Sequence, residues 1–522
     1  MTHDAPENAP KPRPERNFVP HFMFFMLLYL LVVHVWSLNI YPLGRDYAAM
    51  AGSSRLPWGA AQLFDAELYV FGRFLPGYHA VNLLLLYGCM VSVFFLTRWV
   101  LRGPWWLGSL AATLMMANPL KSEAVLNLSG VGELLPAFYA FAALAVYAWE
   151  ITAHRPWKRI LALALLALAS WPFHCNASLF LVCLLAEWLI AERDERSALR
   201  AAAAALIGVA ALCAAAASPL HTLAPSLALA MAPLYFVFYP IGLLPENTGL
   251  FRAVAPAACW LVLLLLIAAA WRRRGQRRPL LFGLLSACAV RLLQGDPDFD
   301  LVHLLGGGAM LVPIALMNIA FAACCRRIIQ HPKWLRPMIF LTSVLCLAFF
   351  GLQIRSNLLW NYAGNQVRAF QQAAEQCRRE HPGTPPGVLR AYELVSGAPM
   401  MLSSAITYDT PFSRACPHYR LLPLSCHPGQ RFRLTAPSWS AKEGRVLLQS
   451  RGTRTLTPLT TAYPLADRYR CLPWRWRPRP VTPDPLYEVI SATGSEIELR
   501  FTPRIAPLSP IVPFTPADSW LF

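Results

Sequence analysis

Long apolar runs, separated by short polar segments, fill the first 354 residues of the chain. An α-helix needs about 20 mainly apolar residues to cross the ~30 Å hydrocarbon core of a bilayer, and most of these runs meet that length. The pattern therefore predicts about eleven membrane-spanning helices. They are expected near residues 18–39, 78–100, 104–118, 134–152, 157–172, 175–192, 200–218, 254–271, 279–293, 302–324 and 336–354.

Lys and Arg residues indicate the orientation of these spans, because positive charge concentrates in the short cytoplasmic loops of membrane proteins. With the N-terminus inside, most loop Lys and Arg residues lie inside, including those at 155–159 and in the run RRRGQRR at 272–278. The apolar stretch 227–244 is not counted as a span, since a span there would move RRRGQRR outside. We expect it to be a re-entrant or interfacial helix on the outer face, and residues 1–17 to be a cytoplasmic tail that precedes an uncleaved first span.

Residues 355–522 are expected to form a separate domain outside the cytoplasm. The stretch 361–380 has the apolar spacing of a helix, and the later runs RFRLTAP, RVLLQS and SEIELRFTP alternate apolar and polar residues as strands do. The predicted fold class is therefore mainly α: a polytopic membrane helix bundle over residues 18–354 with a C-terminal extracytoplasmic α+β domain. The basic tail suits anionic membrane lipid or an anionic glycan, and a solvated basic surface explains it equally well.

Composition agrees with a membrane protein. Hydrophobic residues make up 56% of the chain, charged residues 14%, and the mean hydropathy is +0.41, whereas soluble domains have about 25% charged residues. We do not expect nucleic acid to be a partner, despite the net charge of +18. Cys377, Cys416, Cys426 and Cys471 fall in the tail, where an oxidising compartment allows two disulfides in any of the three pairings.

The candidate chemistry lies in polar residues at the outer ends of the predicted spans. Ionisable residues near a membrane interior are costly, which favours a function for them, although each one alone is also explained as a solvated loop residue. The stretch NPLKSEAVLNLSGVGE at 118–133 and the first outer loop provide most of them. The candidates are Arg45, Asp46, Lys121, Glu123, Glu133, His174, Arg291 and Asp300.

Several acids and a few bases on one face of a bundle suit a lipid-phosphate donor. Transfer of a sugar from polyprenyl phosphate to a hydroxyl needs a carboxylate that takes the hydroxyl proton, and cations that hold the leaving phosphate. Asp46 is the preferred base, and Glu123 is its partner or a ligand of a divalent cation, the one cofactor that these residues suggest. Arg45 and Lys121 are expected to bind the phosphate, and Glu133 to orient the other groups.

The order of several segments resembles the transmembrane-and-TPR O-mannosyltransferases and their bacterial relatives. PGYHAVNLLLLYGCMVSVFFLTRWVL at 76–101 is similar to the second span of that family, and the stretch 117–149 to its next loop, usually written HPIHTEAVAWISGRxDLL. PLYFVFYPIGLLP resembles its outer interfacial segment, and RRPLLFGLLSACAVRLL at 277–293 a later turn and span. The resemblance covers about residues 18–354. It implies a GT-C fold and a glycosyltransferase that uses a polyprenyl-phosphate sugar on the outer face.

The family motifs are partly replaced in this chain. The paired acids of the first loop are Arg45-Asp46 here, so one acid remains. The HTE triplet is Lys121-Ser122-Glu123, the Arg-x-Asp motif is Val131-Gly132-Glu133, and no tetratricopeptide array follows. Phe173-His174-Cys175 and Leu301-Val302, preceded by Asp300, occupy two later motif positions. His174, Arg291 and Asp300 are therefore expected around the site rather than at its centre.

Three functional hypotheses follow. The first is an inverting glycosyltransferase of a bacterial inner membrane, with its site and tail in the periplasm and a protein or envelope glycan as acceptor. The second is a catalytically inactive GT-C-like scaffold that binds lipid or assembly partners, which the replaced motifs favour. The third, a transporter or lipid flippase, predicts charges at mid-membrane and an internal repeat, and neither is found in the sequence.

Overall fold

The computed structural model describes residues 18–52, 56, 58–118, 121–153, 161–162, 178–190, 274–294, 311–330 and 408–413, single helical positions at 261, 264 and 268 and between 336 and 379, and short strands after residue 385. The described helices are α1 (Phe18–His34), α2 (Arg45–Met50), α3 (Trp58–Phe71), α4 (Leu75–Leu101), α5 (Trp105–Ala117), α6 (Ser122–Leu126), α7 (Val131–Ala153), α8 (Ser178–Leu189), α9 (Arg274–Gln294) and α10 (Leu311–Gln330). Short 3-10 turns follow α1 at Val35–Ser37 and precede α7 at Leu128–Gly130.

Within the described part of the chain, three helical segments have the length and apolar composition needed to cross a membrane. They are Phe18–Ser37, Leu75–Leu101 and Leu128–Ile151. Shorter apolar helices occupy Trp105–Ala117, Leu179–Leu189 and Leu311–Arg326. These segments coincide with predicted spans, and they indicate a mainly helical membrane protein.

The helices form one apolar core in which α4 packs against α5 and α7, and α10 packs against α5 and α9. Glycines allow two of these helices to approach their neighbours closely. A Cβ atom on Gly108 of α5 would lie 2.6 Å from the Phe94 carbonyl oxygen of α4, and one on Gly283 of α9 would lie 2.7 Å from the Leu316 carbonyl oxygen of α10. Such small residues at helix contacts are typical of membrane bundles, because packing rather than hydrophobic burial holds the helices together.

Side-chain contacts sort the helix ends into two groups. At one end, Phe18 stacks on Trp105 with ring centroids 5.4 Å apart, and Arg326 Nη1 donates a 2.6 Å hydrogen bond to the Leu101 carbonyl. At the other end, the C-terminus of α1, the loops before α2 and α6, and the helical positions around residue 357 contact one another. The second group gathers the loops that the sequence predicts to lie outside.

The outward face of α1 is apolar. Phe24, Phe25, Leu28, Leu31 and Val32 expose between 46% and 63% of their surface. Hydrocarbon around a membrane helix solvates such side chains, so this stripe fits a lipid-facing surface.

Short strands follow in the tail: β1 (Pro386–Leu389), β2 (Leu394–Val395), β3 (Ala398–Pro399), β4 (Arg420–Leu422), β5 (Arg431–Thr435), β6 (Ser438–Lys442), β7 (Arg445–Gln449), β8 (Leu456–Thr460), β9 (Tyr487–Ala492), β10 (Glu496–Phe501) and β11 (Ile511–Pro513). They pair in the orders β11-β1-β4, β8-β5-β10-β9, β2-β3 and β6-β7. Only β1 and β4 run parallel; the other pairs are antiparallel.

Several predictions fall on residues that the structure does not describe. The predicted span at 200–218, the stretch 227–244 and the four tail cysteines lie wholly outside the described residues. Of the predicted spans at 254–271 and 157–172, the structure describes only residues 261, 264 and 268 and residues 161–162. The predicted helix at 361–380 is helical at each of its described positions. The runs RFRLTAP, RVLLQS and SEIELRFTP contain β5, β7 and β10.

Candidate functional site

Two outer loops meet at the helix ends that contain most of the candidate residues. In the first loop, Gly44 has φ +43° and ψ −102° and precedes α2, so the chain turns sharply just before Arg45 and Asp46. Glycine tolerates this conformation because it has no Cβ. In the second loop, α6 carries Glu123, and the 3-10 turn Leu128–Gly130 leads directly into α7 and Glu133.

Arg45 connects the two loops through an ion pair on each side. Its Nη1 donates to Glu133 Oε1 over 3.1 Å, and its Nη2 donates to Glu123 Oε1. The Arg45 side chain is 49% exposed, that of Glu133 26%, and that of Glu123 only 1%. Burial alone would lower the pKa of Arg45, but the carboxylates of Glu133 and Glu123 outweigh it and raise that pKa, so the guanidinium stays charged.

Asp46 has a different environment from its neighbour. It is 1% exposed, and both of its carboxylate oxygens accept hydrogen bonds. Oδ2 accepts from the Leu43 N–H at 3.0 Å, and Oδ1 accepts from the Ser129 N–H at 2.9 Å and the Ser129 hydroxyl at 2.7 Å. Burial raises the pKa of Asp46, and these hydrogen bonds oppose the rise. Asp46 thus fastens the first outer loop to the turn before α7.

Lys121 points away from this ion cluster into a buried group of amides and hydroxyls. Its Nζ donates to the Asn118 carbonyl at 3.0 Å and to Gln353 Oε1 at 2.7 Å, and the residue is 1% exposed. Gln353 Nε2 donates to Ser122 Oγ at 3.1 Å and to Asn357 Oδ1 at 2.7 Å. Burial without a carboxylate lowers the pKa of Lys121 to about 7.

The same polar group holds the end of α1. Asn357 Nδ2 donates to the Val33 carbonyl at 2.9 Å and lies 3.5 Å from His34 Nδ1. Ser356 Oγ donates to Ser122 Oγ at 2.8 Å. The loop before α6, the end of α1 and the helical positions 353–357 therefore form one hydrogen-bonded joint.

The turn that joins these two groups is tightly packed. A Cβ atom on Gly130 would lie 1.9 Å from the Ala124 carbonyl oxygen and 3.0 Å from Asn82 Nδ2. Asn82 Nδ2 donates to the Asn127 carbonyl at 2.7 Å. Glycine at this position therefore lets the turn fold back on α6 and fixes the path from Glu123 to Glu133.

A segment of the tail contacts the first outer loop beside α2. The Tyr41 hydroxyl lies 2.7 Å from Gln371 Oε1 and 2.8 Å from the Phe412 carbonyl, and the Tyr41 and Phe412 rings meet edge to face with centroids 5.7 Å apart. Gln371 also donates to the hydroxyl of the buried Tyr47 at 3.0 Å. The tail thus contributes to the surroundings of Arg45.

The structure brings together five of the eight residues that the sequence suggested. Arg45 contacts both Glu123 and Glu133, Asp46 holds the same turn through Ser129, and Lys121 starts the same loop but bonds elsewhere. His174 and Asp300 lie outside the described residues. Arg291 lies near the end of α9, and its side chain is outside the described part. Among the described residues, no group of three or more His, Cys, Asp and Glu side chains could hold a metal ion.

Sequence reasoning missed the polar partners of Lys121. Gln353, Asn357 and Asn361 recur every fourth residue at the end of the last apolar run, so they share one helical face. Polar residues along one face of an apolar helix could have predicted that this face forms buried hydrogen bonds. Ser129 gave no signal of its own, because a lone serine in a loop has no distinguishing pattern.

No protein-family model, no curated protein and no solved structure matches the chain.

Proposed function

We propose that the protein is a membrane glycosyltransferase that moves a sugar from a polyprenyl-phosphate donor to a hydroxyl acceptor at the outer face of the membrane. One observation carries the proposal. Arg45 of the first outer loop bridges Glu123 and Glu133 of the second, and this ion cluster remains partly exposed where the predicted outer ends of the helices meet. It offers a carboxylate and a guanidinium side by side, which are the two kinds of group that the reaction needs.

Exposure assigns the roles within the cluster. Glu133 has the more exposed side chain of the two acids that contact Arg45, and we assign it as the base that accepts the hydroxyl proton. Asp46, with both oxygens accepting hydrogen bonds in a buried position, is assigned as a positioning residue that holds the loop of Arg45. This assignment moves the base from Asp46 to Glu133.

Arg45 is assigned to the phosphate of the donor. A guanidinium has five N–H donors, and two of them point to Glu123 and Glu133. The other three have no acceptor among the described residues, and half of the side chain is exposed. Arg45 can therefore add a phosphate contact while it keeps both carboxylates.

The proposed step is a single displacement that inverts the sugar. The acceptor O–H proton passes to the Glu133 carboxylate, and the acceptor oxygen forms a bond to the anomeric carbon. The bond between that carbon and the phosphate oxygen breaks, and its electron pair leaves with the polyprenyl phosphate. Arg45 stabilises the negative charge that grows on this phosphate.

The topology and location belong to the same proposal: eleven spans, a cytoplasmic N-terminus, and a periplasmic α+β tail in a bacterial inner membrane. Contacts between Tyr41 of the first outer loop and Phe412 of the tail support a shared side for both. The acceptor would be a protein or an envelope glycan that reaches the site along the basic tail. Anionic lipid is a further partner of that tail.

A second candidate, an inactive scaffold, is favoured by the burial of Asp46 and Lys121. Each is 1% exposed and bonded to neighbouring loop or helix atoms, as expected where charged residues have become structural. In this case the outer loops would hold the bundle together, and the tail would bind an assembly partner.

Transfer assays on purified protein in nanodiscs separate the two candidates. A panel of radiolabelled polyprenyl-phosphate sugars is offered to the wild type, Glu133→Gln, Arg45→Gln and the matched control Asp65→Asn, an exposed acid on α3. The glycosyltransferase requires transfer by the wild type and the control, at least a hundredfold loss in Glu133→Gln with donor binding kept, and weaker donor binding in Arg45→Gln. Donor binding by the wild type without transfer of any sugar would instead support the scaffold.

A further inference from the structure

Glu67 is a buried acid that the proposed reaction does not use. It lies on α3 and is 3% exposed, and neither of its carboxyl oxygens has a hydrogen-bond partner among the described residues. Buried carboxyl groups are normally hydrogen-bonded or paired with a cation, because leaving them without a partner costs free energy. Within the described part of the chain, the carboxyl group of Glu67 is therefore available to a bound ligand.

Aromatic rings surround this acid. Phe64 and Phe71 lie three residues before and four residues after Glu67, so they share its face of α3. Both rings contact Tyr78 of α4, with centroids 6.2 Å and 5.5 Å apart, and Glu67 interacts electrostatically with Tyr78. The Tyr78 hydroxyl donates to the Gly72 carbonyl at 2.8 Å, so its proton is directed away from Glu67.

A carboxylate among three aromatic rings has the chemistry of an ammonium site. Ring faces attract cations, most strongly where water is excluded, and the carboxylate supplies the opposite charge. The two carboxyl oxygens also call for N–H donors, which a primary ammonium has and a quaternary ammonium lacks. Burial raises the pKa of Glu67 to about 8, as expected for a carboxyl group that has no cation beside it.

The corner between α3 and α4 also borders the membrane surface. Tyr69 is 93% exposed, Val70 69% and Phe74 61%, and Phe74 immediately precedes the long apolar helix α4. Exposed aromatic and apolar side chains next to a span are typical of the lipid headgroup layer. Gly72 follows α3 with φ +53°, and no described atom lies within 4 Å of the position that its Cβ would take.

We propose that Glu67, with Phe64, Phe71 and Tyr78, binds a primary ammonium group, as carried by the ethanolamine headgroup of a membrane lipid. This site shares no residue with the Arg45 cluster and does not depend on the proposed sugar transfer. Its occupant would hold α3 against α4 and fix the interfacial helix in the headgroup layer.

The test measures the thermal unfolding of the full chain in detergent with added phosphatidylethanolamine, phosphatidylcholine or phosphatidylglycerol, and lipid retention by native mass spectrometry. Variants are Glu67→Gln, which keeps the shape and removes the charge, Phe64→Leu, which removes one ring, and the matched control Asp65→Asn. We expect phosphatidylethanolamine to stabilise the wild type and Asp65→Asn more than the other lipids do. Its apparent affinity should fall at least tenfold in Glu67→Gln and less in Phe64→Leu.

Soluble ethanolamine separates the two sources of the ammonium group. If millimolar ethanolamine reproduces the stabilisation in the wild type but not in Glu67→Gln, the site takes a free amine as well as a lipid headgroup. Equal lipid preference in the wild type and Glu67→Gln would overturn the proposal. So would a wild type without preference for the amine lipid, which would make Glu67 a protonated core residue only.

Discussion

Lys121 and Glu123 are two residues apart in one outer loop, yet they belong to two different kinds of polar cluster. Glu123 faces the half-exposed guanidinium of Arg45, so its charge is balanced by an opposite charge. Lys121 faces only a carbonyl and an amide, deep among uncharged partners. One turn of chain thus separates a partly exposed charged cluster from a buried, uncharged hydrogen-bonded joint.

The comparison shows how a bundle can keep ionisable residues for two purposes. Charges that neutralise one another near the surface remain available for phosphate or proton transfer. An amine without a carboxylate is driven towards its neutral form, where it serves as a hydrogen-bonding group. The predictions below test whether the two clusters are separable, and they run from the largest expected effect to the smallest.

Gly130→Ala should disrupt both clusters together, because Gly130 fixes the turn that carries their loop. Its new methyl group would lie 1.9 Å from the Ala124 carbonyl oxygen, which belongs to the backbone and cannot rotate away. Overpacking typically costs about 1–3 kcal/mol, and a backbone clash of this kind should exceed that range. We expect little folded protein by size-exclusion chromatography and a large fall in the unfolding temperature.

Gly351→Ala is the matched control, because a Cβ atom at Gly351 meets nothing within 4 Å. It should fold and unfold like the wild type. If Gly130→Ala were as stable as this control, the turn could adopt another backbone conformation. The inference that this turn fixes the geometry of the Arg45 cluster would then be wrong.

Of the two ion pairs that Arg45 forms, the pair with Glu123 should contribute more to the free energy of unfolding. The Glu123 side chain is 1% exposed, so Arg45→Gln would leave a buried carboxylate without its cation, a change that costs about 3–5 kcal/mol for a fully buried pair. Because the guanidinium is half exposed, we expect a loss of unfolding free energy near the lower end of that range. A double-mutant cycle of Arg45→Gln with Glu123→Gln, read from chemical denaturation, should show strong coupling. Additive effects would indicate that the ion pair does not hold the two loops together.

The sequence predicted this cluster better than it predicted the joint beside it. Arg45, Asp46, Glu123 and Glu133 were identifiable because charged residues are conspicuous at the ends of apolar runs. Which of them stays accessible was not predictable from the sequence, since the hydrogen bonds from Ser129 to Asp46 form only when two distant loops meet. Tertiary contact, and not residue type, decided which of these side chains is buried and which stays partly exposed.

The fold shows the same division. Apolar length was enough to predict α1, α4 and α7, because a span needs little besides about 20 apolar residues. The contact of Gln353 with Lys121 joins positions 232 residues apart, and no local pattern contains such a pairing. Phe64 and Phe71 share a helical face with Glu67 in the sequence, but that its carboxyl group has no partner among the described residues is seen only in three dimensions.

Lys121 should make stability depend on pH in the alkaline range. Because burial lowers its pKa from 10.5 to about 7, the folded state binds fewer protons than the unfolded state between these values. Stability contributed by this residue should therefore rise with pH from about 7 to 10.5, by at most about 1.4 kcal/mol per pH unit. Lys121→Met should lack that rise, which thermal unfolding of both proteins across the range would measure.

Lys121→Arg serves as the control for charge, because arginine stays protonated across this range. It should also lack the rise but retain the cost of a buried cation, so it should be the least stable of the three proteins at high pH. Parallel curves for wild type and Lys121→Met would show that the amine does not change its protonation in the folded protein. Lys121 would then stay charged in the folded protein, as Arg45 does, and the two clusters would not differ in this respect.

The pair of Arg45 with Glu133 should give the smallest effect on stability. Its two side chains are 49% and 26% exposed, and exposed ion pairs contribute about 0–1 kcal/mol and weaken with salt. The double-mutant cycle of Arg45→Gln with Glu133→Gln should therefore show weaker coupling than the cycle with Glu123, and should lose most of it in 1 M salt. A coupling as strong and as salt-resistant as that of Glu123 would place Glu133 inside the structural joint. That result would also remove the reason for assigning it as the base, since the assignment depends on the partial exposure of the Glu133 side chain.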